Sequence, residues 1–102
     1  METILLEFPA AQPARGRARA GVVASGDLEV LLESNTAERT VVNITTSVDG
    51  MDRVWKAVLE RIFSDGSLPA AKLEINDSGA TPGVVRMRIG QVFEALKSTR
   101  GA

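Results

Sequence analysis

The stretch Thr81-Pro82-Gly83-Val84-Val85-Arg86-Met87-Arg88-Ile89-Gly90-Gln91-Val92-Phe93-Glu94-Ala95-Leu96 fits two templates, and the choice between them decides the fold. Val85, Met87 and Ile89 alternate with Arg86 and Arg88 as in a half-buried strand, while Val85, Ile89, Val92, Phe93 and Leu96 form one helical stripe. Over 84–89 both readings stay open. Two features outside that window favour a helix. Thr81-Pro82 joins a capping hydroxyl to a residue suited to the first turn, and the stripe runs on to Leu96, longer than a usual strand. Gly83 and Gly90 count against it, each costing about 1 kcal/mol relative to alanine inside a helix.

Working outward from that helix, Ala71 to Asp77 alternates, with Leu73 and Ile75 opposed to Lys72, Glu74 and Asn76, and Asn76-Asp77-Ser78-Gly79 makes a turn. Upstream, Val54, Trp55, Val58, Leu59 and Ile62 recur at helical spacing through Phe63. Asp49 or Gly50 opens this helix, Asp52 suits its positive end, and Asp65-Gly66 stops it. Ile4 to Phe8, Arg17 to Val23, Leu28 to Leu32 and Thr40 to Thr46 read as strands, the first ended by Pro9-Ala10-Ala11-Gln12-Pro13. Leu28, Val30 and Leu32 share one face, with Glu29, Leu31 and Glu33 on the other. The last three of these strands are expected to form an antiparallel meander. The predicted class is α+β: an antiparallel or mixed β-sheet of about five strands with two helices packed on one face. A chain of 102 residues makes one domain, 1–102, with a single core.

Composition narrows the function. With 44% apolar and 25% charged residues and a net charge of -1, the chain is an ordinary globular sequence without a positive field for nucleic acid or anionic lipid. No apolar run approaches a membrane span, and Met1-Glu2-Thr3 does not open a secretory signal. The expectation is a cytoplasmic protein with neither nucleic acid nor membrane as partner. There is no histidine and no cysteine. The commonest base for activating a serine is therefore missing, and so is any thiol nucleophile.

Against that background Ser25 stands out, in Gly21-Val22-Val23-Ala24-Ser25-Gly26-Asp27-Leu28-Glu29-Val30-Leu31-Leu32. A Gly-Asp pair between two strand-like runs predicts a two-residue hairpin loop, because glycine accepts the positive φ such turns demand. The serine hydroxyl then occupies an exposed corner, displayed but not activated. Such a serine is suited to modification by another enzyme, although turn statistics alone favour an ordinary turn serine.

Several blocks together are more specific: Glu7-Phe8-Pro9-Ala10, the Gly21 to Leu31 segment, Thr45-Thr46-Ser47-Val48-Asp49, and Gly79-Ala80-Thr81-Pro82-Gly83-Val84. Through them, over nearly its whole length, the chain resembles the acyl carrier (delta) subunit of bacterial malonate decarboxylase. The resemblance implies that Ser25 carries a covalent 2'-(5''-phosphoribosyl)-3'-dephospho-coenzyme A arm, attached by a dedicated prosthetic-group transferase. It further implies that acetyl and malonyl groups ride on the arm's thiol as thioesters, and that catalysis resides in partner subunits, an acyl transferase and a decarboxylase, served by a malonyl transferase. On this reading Gly26 gives the turn its shape and leaves clearance for arm and transferase, and Asp27 holds the turn through side-chain to backbone hydrogen bonds. The similar carrier subunit of citrate lyase is the nearest competing identity, and a non-covalent interaction module is the alternative from another class.

Other residues read more plainly. Arg15, Arg17 and Arg19 recur with period two and, like Arg86 and Arg88, are taken as surface charges rather than phosphate ligands. Trp55 is taken as core. The helix start at Thr81-Pro82-Gly83 is taken to bind its own cap rather than a phosphate. Asp49, Asp52, Asp65 and Asp77 show no metal-ligand spacing.

Overall fold

The computed structural model describes residues 1–100, with side chains through Leu96. Its elements run β1 (Glu2–Pro9), β2 (Arg17–Gly21), β3 (Asp27–Ser34), β4 (Arg39–Thr46), α1 (Asp52–Phe63), β5 (Ala71–Ser78) and α2 (Pro82–Arg100). The ambiguous stretch is a helix. Its stripe is what the sheet can bury: Val85, Ile89, Val92, Phe93 and Leu96 are all in the core, whereas Met87, the strand-phase residue, lies outside it.

The five strands form one mixed sheet in the order β1-β4-β5-β3-β2. β4 and β5 are parallel, with Val42 opposite Leu73 and Ile44 opposite Ile75, and α1 supplies the crossover such a pair requires. The remaining pairs are antiparallel. The expected meander is therefore corrected. β2 and β3 do form a hairpin, but β5 lies between β3 and β4. Both neighbours offer it matching apolar rows, Val30 and Leu32 on one side and Val42 and Ile44 on the other.

One face of the sheet carries Leu28, Val30, Leu32, Val42, Ile44, Leu73 and Ile75, and both helices pack on it. Phe8 stacks on Phe63 at 5.4 Å between ring centroids, and Phe63 meets Phe93 edge-on at 6.2 Å, tying β1, α1 and α2 together. The opposite face is open to solvent, with Arg17, Arg19, Glu33, Lys72 and Glu74 among its side chains, as one-sided sheets allow.

α1 begins later than Asp49 or Gly50. The Thr46 hydroxyl accepts the Val48 N–H, Gly50 turns the chain at φ +76°, and Met51 precedes the first helical residue without a side-chain cap. The stop at Asp65-Gly66 is as expected, with Gly66 N–H donating to the Phe63 carbonyl.

Candidate functional site: a pinned turn that presents Ser25

β2 ends at Gly21, two residues earlier than its apolar run suggested. Gly21 has φ +82°, and a β-carbon there would run into the Leu28 carbonyl oxygen and the Arg88 side chain. From that point five residues, Val22 to Gly26, lead to β3. The tight part is Ala24 to Asp27, closed by the Asp27 N–H donating to the Ala24 carbonyl at 2.9 Å. Ser25 and Gly26 are its central pair, and Gly26 takes φ +77° at the position where such a turn calls for glycine. The predicted two-residue Gly-Asp loop is thus corrected: Asp27 is the first residue of β3, paired opposite Ser78.

Three ties hold this turn. The Gly26 N–H donates to the Ser78 carbonyl at 2.7 Å, which fastens the turn to the end of β5. Asp27 Oδ1 accepts the Leu28 N–H at 2.7 Å, the backbone role expected for this residue. The third tie is a fork between Asp27 and Arg88 of α2, with Nε to Oδ1 at 3.0 Å and Nη2 to Oδ2 at 2.6 Å. Two parallel, charge-assisted bonds fix orientation as well as distance. Arg88 also donates to Gln91. With the Asp27 side chain only 19% exposed and that of Arg88 24%, the pair is largely sheltered. Arg88 is therefore not the free surface charge expected of it. Its bonds, followed by that of the Leu28 N–H, hold the Asp27 carboxyl below the usual carboxylate range, and Asp27 in turn raises Arg88.

Asp77 secures the β5 side. Its carboxylate accepts bonds from the Thr46 hydroxyl at 2.8 Å and from the Gly79 and Ala80 N–H groups, so the segment beneath Gly26 is itself held. Beside it lies a cleft of about 140 Å³ between the first turns of the two helices, lined by Val48, Met51, Trp55, Gly79 and Pro82 among others. Trp55 is buried at its base. Thr81 Oγ1 accepts the Val84 N–H and so caps its own helix.

Ser25 is exposed, and among the described residues nothing hydrogen-bonds its hydroxyl. Beyond the adjoining residues, no atom lies within 4 Å of where a Gly26 β-carbon would sit, so the turn has open space on that side. The nearest carboxylate in sequence, Asp27, is fully engaged. Arg17 and Arg19 project from the open sheet face, Arg86 is exposed, and Asp49 pairs with the amino terminus. Among the described residues no three potential ligands are grouped to hold a metal ion, and no helix is long and apolar enough to cross a membrane. Sequence reasoning missed Arg88, 61 positions from Asp27, and the Ser78 carbonyl. Neither leaves a local signal, since the sheet order brings in Ser78 and the packing of α2 on the sheet brings in Arg88.

Fold and site together define a small α+β domain with an exposed serine on a tied turn. The profile of the malonate decarboxylase delta subunit, an acyl carrier protein family, matches residues 15–96. The malonate decarboxylase acyl carrier protein of Pseudomonas fluorescens strain SBW25 is 51% identical over 96 residues, covering 94% of this chain and 97% of that one. The protein of that name from Azotobacter vinelandii is 50% identical, covering 96% and 99%. In a crystal structure of a Pseudomonas malonate decarboxylase hetero-tetramer in complex with malonate, one chain superposes with a TM-score of 0.90 at 50% identity, covering 94% of this chain and 99% of that one. The chain belongs to the malonate decarboxylase delta subunit family of acyl carrier proteins.

Proposed function

We propose that this chain is the acyl carrier subunit of a cytoplasmic malonate decarboxylase complex, and that Ser25 is the attachment point of a covalent 2'-(5''-phosphoribosyl)-3'-dephospho-coenzyme A group. The observation that carries the reading is the Ser25 turn: an exposed, unbonded hydroxyl on a backbone tied to β5 and α2, in a chain of this family. The match to the malonate family takes the place of the citrate lyase resemblance.

The residues fit such a group. Ser25 would hold the group through its side-chain oxygen as a phosphate ester: its O–H bond would be exchanged for an O–P bond, with the leaving group of a phosphoanhydride-activated precursor departing with the P–O electron pair. The base for that proton must come from the attaching transferase, because the chain has no histidine and Asp27 is occupied by Arg88 and the Leu28 N–H. Gly26 leaves room for the approach, and the fork at Asp27 ties the turn to α2. When bound, the group supplies a terminal thiol that holds acetyl and malonyl units as thioesters, whose carbonyl takes up the charge left when carbon dioxide departs. The chain itself contributes a tether and a fixed point of attachment, which raises the effective concentration of the carried unit at successive active sites. Oxyanion stabilisation and proton transfer belong to the acyl transferase and decarboxylase subunits, and a malonyl transferase serves the same carrier.

Reconstitution tests this. A complex assembled with Ser25→Ala is expected to retain its composition and lose malonate decarboxylation, whereas full turnover by the Ser25→Ala complex would refute the assignment.

A further inference from the structure

The loop that presents Ser25 also holds two β-branched apolar side chains in the open. Val22 is 56% exposed and Val23 is 61% exposed, and neither belongs to the core. Nothing in the local fold calls for valine at either place. The φ-restricted positions are Gly21 and Gly26, and the tight turn is closed by Ala24 and Asp27. The Val22 carbonyl accepts the Ala24 N–H, a bond any residue at 22 would provide. Loop positions of this kind usually carry small or polar residues, and adjacent exposed apolar side chains are surface that contact with another protein can bury.

Within the loop the charges cancel. Ala24, Ser25 and Gly26 are neutral, and the carboxylate of Asp27 is matched by the guanidinium of Arg88 in a sheltered fork. A partner therefore finds apolar surface beside Ser25 and no net charge in the loop to steer by. Because the loop is tied to β5 and α2, the valines and the serine are presented together. An active site that closes on the Ser25 hydroxyl meets the same short loop, in which Val22 and Val23 stand three and two positions away.

Resting on the Ser25 reading above, we propose that Val22 and Val23 are the docking element for the enzyme that forms the bond to the Ser25 hydroxyl. That enzyme lays an apolar surface on them, and its recognition of the carrier is hydrophobic and insensitive to salt. Association steered by charge would weaken steeply with ionic strength, as hydrophobic contact does not.

The test measures initial rates of Ser25 loading by the purified transferase, read as intact mass at sub-saturating full-length chain. Val22→Thr/Val23→Thr keeps shape and branching while adding hydroxyls, Val22→Ser/Val23→Ser removes the apolar surface, and Leu5→Ser on the open sheet face is the control. The expected result is a loss of about tenfold or more for the serine pair, a smaller loss for the threonine pair, and unchanged melting temperatures. Leu5→Ser should load as the parent does. With the activated donor saturating at every salt concentration, parent loading should change by less than about twofold between about 0.05 and about 0.5 M sodium chloride. Loading of both valine variants at the parent rate would overturn the inference, as would a steep fall of the parent rate with salt. Normal loading with failed assembly into the decarboxylase complex would also overturn it, giving the valines to another subunit. No loading of the parent chain would instead remove the Ser25 reading itself.

Discussion

At Asp27 a single carboxylate closes its own turn through the Leu28 N–H and grips α2 through Arg88. The Arg88 bonds, then the Leu28 N–H, lower its folded-state pKa, so its contribution to stability is present above the unfolded value, about 3.9, and is lost as pH falls through the lower folded value. Asp27→Asn should therefore melt lower than the parent near neutrality, and the gap should close below about pH 4. Thermal melts of both proteins from neutral pH down to the acid limit of solubility check this, and a gap that stays constant would rule out the fork as its source. Gly21 is constrained in another way. Gly21→Ala places a β-carbon against the Leu28 carbonyl at positive φ, and should cost at least about 1–2 kcal/mol in urea unfolding. Ser25→Ala, by contrast, removes an unbonded exposed hydroxyl and should leave unfolding free energy within about 0.5 kcal/mol of the parent.

At the scale of elements, α2 is the informative case. Its stripe from Val85 to Leu96 outweighed two glycines, and the glycines remain a reserve of stability. Gly90 has open space around its missing β-carbon and no positive φ. Gly90→Ala should therefore stabilise the protein by about 0.5–1 kcal/mol, seen as a higher urea midpoint with unchanged slope. The elements themselves were legible, because alternation in β3 and β5 and the stripes of α1 and α2 are local patterns. Their partners were not. β5 enters between β3 and β4 although β3 and β4 are neighbours in the chain, and nothing in the alternation of Leu28 to Leu32 or Thr40 to Thr46 says which strand it will face. The Ser25 site divides along the same line. The serine and its turn glycine were visible in one short segment, whereas Arg88 and the Ser78 carbonyl were hidden, since only the β2-β3-β5 arrangement with α2 above it brings them to the turn.

The whole molecule is two-sided. One sheet face is spent on a core joined by Phe8, Phe63 and Phe93, and the other is left to water. Phe63 touches both other rings from the centre of that group. Phe63→Ala should cost about 3–5 kcal/mol, a large share of the total stability of a domain this size. A firmly packed β3, β5 and α2 hold the turn on which Ser25 is exposed. The central claim is that this serine bears a covalent group. Its most direct test is intact mass, with fragmentation, of the parent chain and of Ser25→Ala, each produced together with the genes of its native complex. The account predicts a nucleotide-arm adduct on Ser25 of the parent and none on the variant. A parent chain that stays unmodified inside an active complex would contradict it.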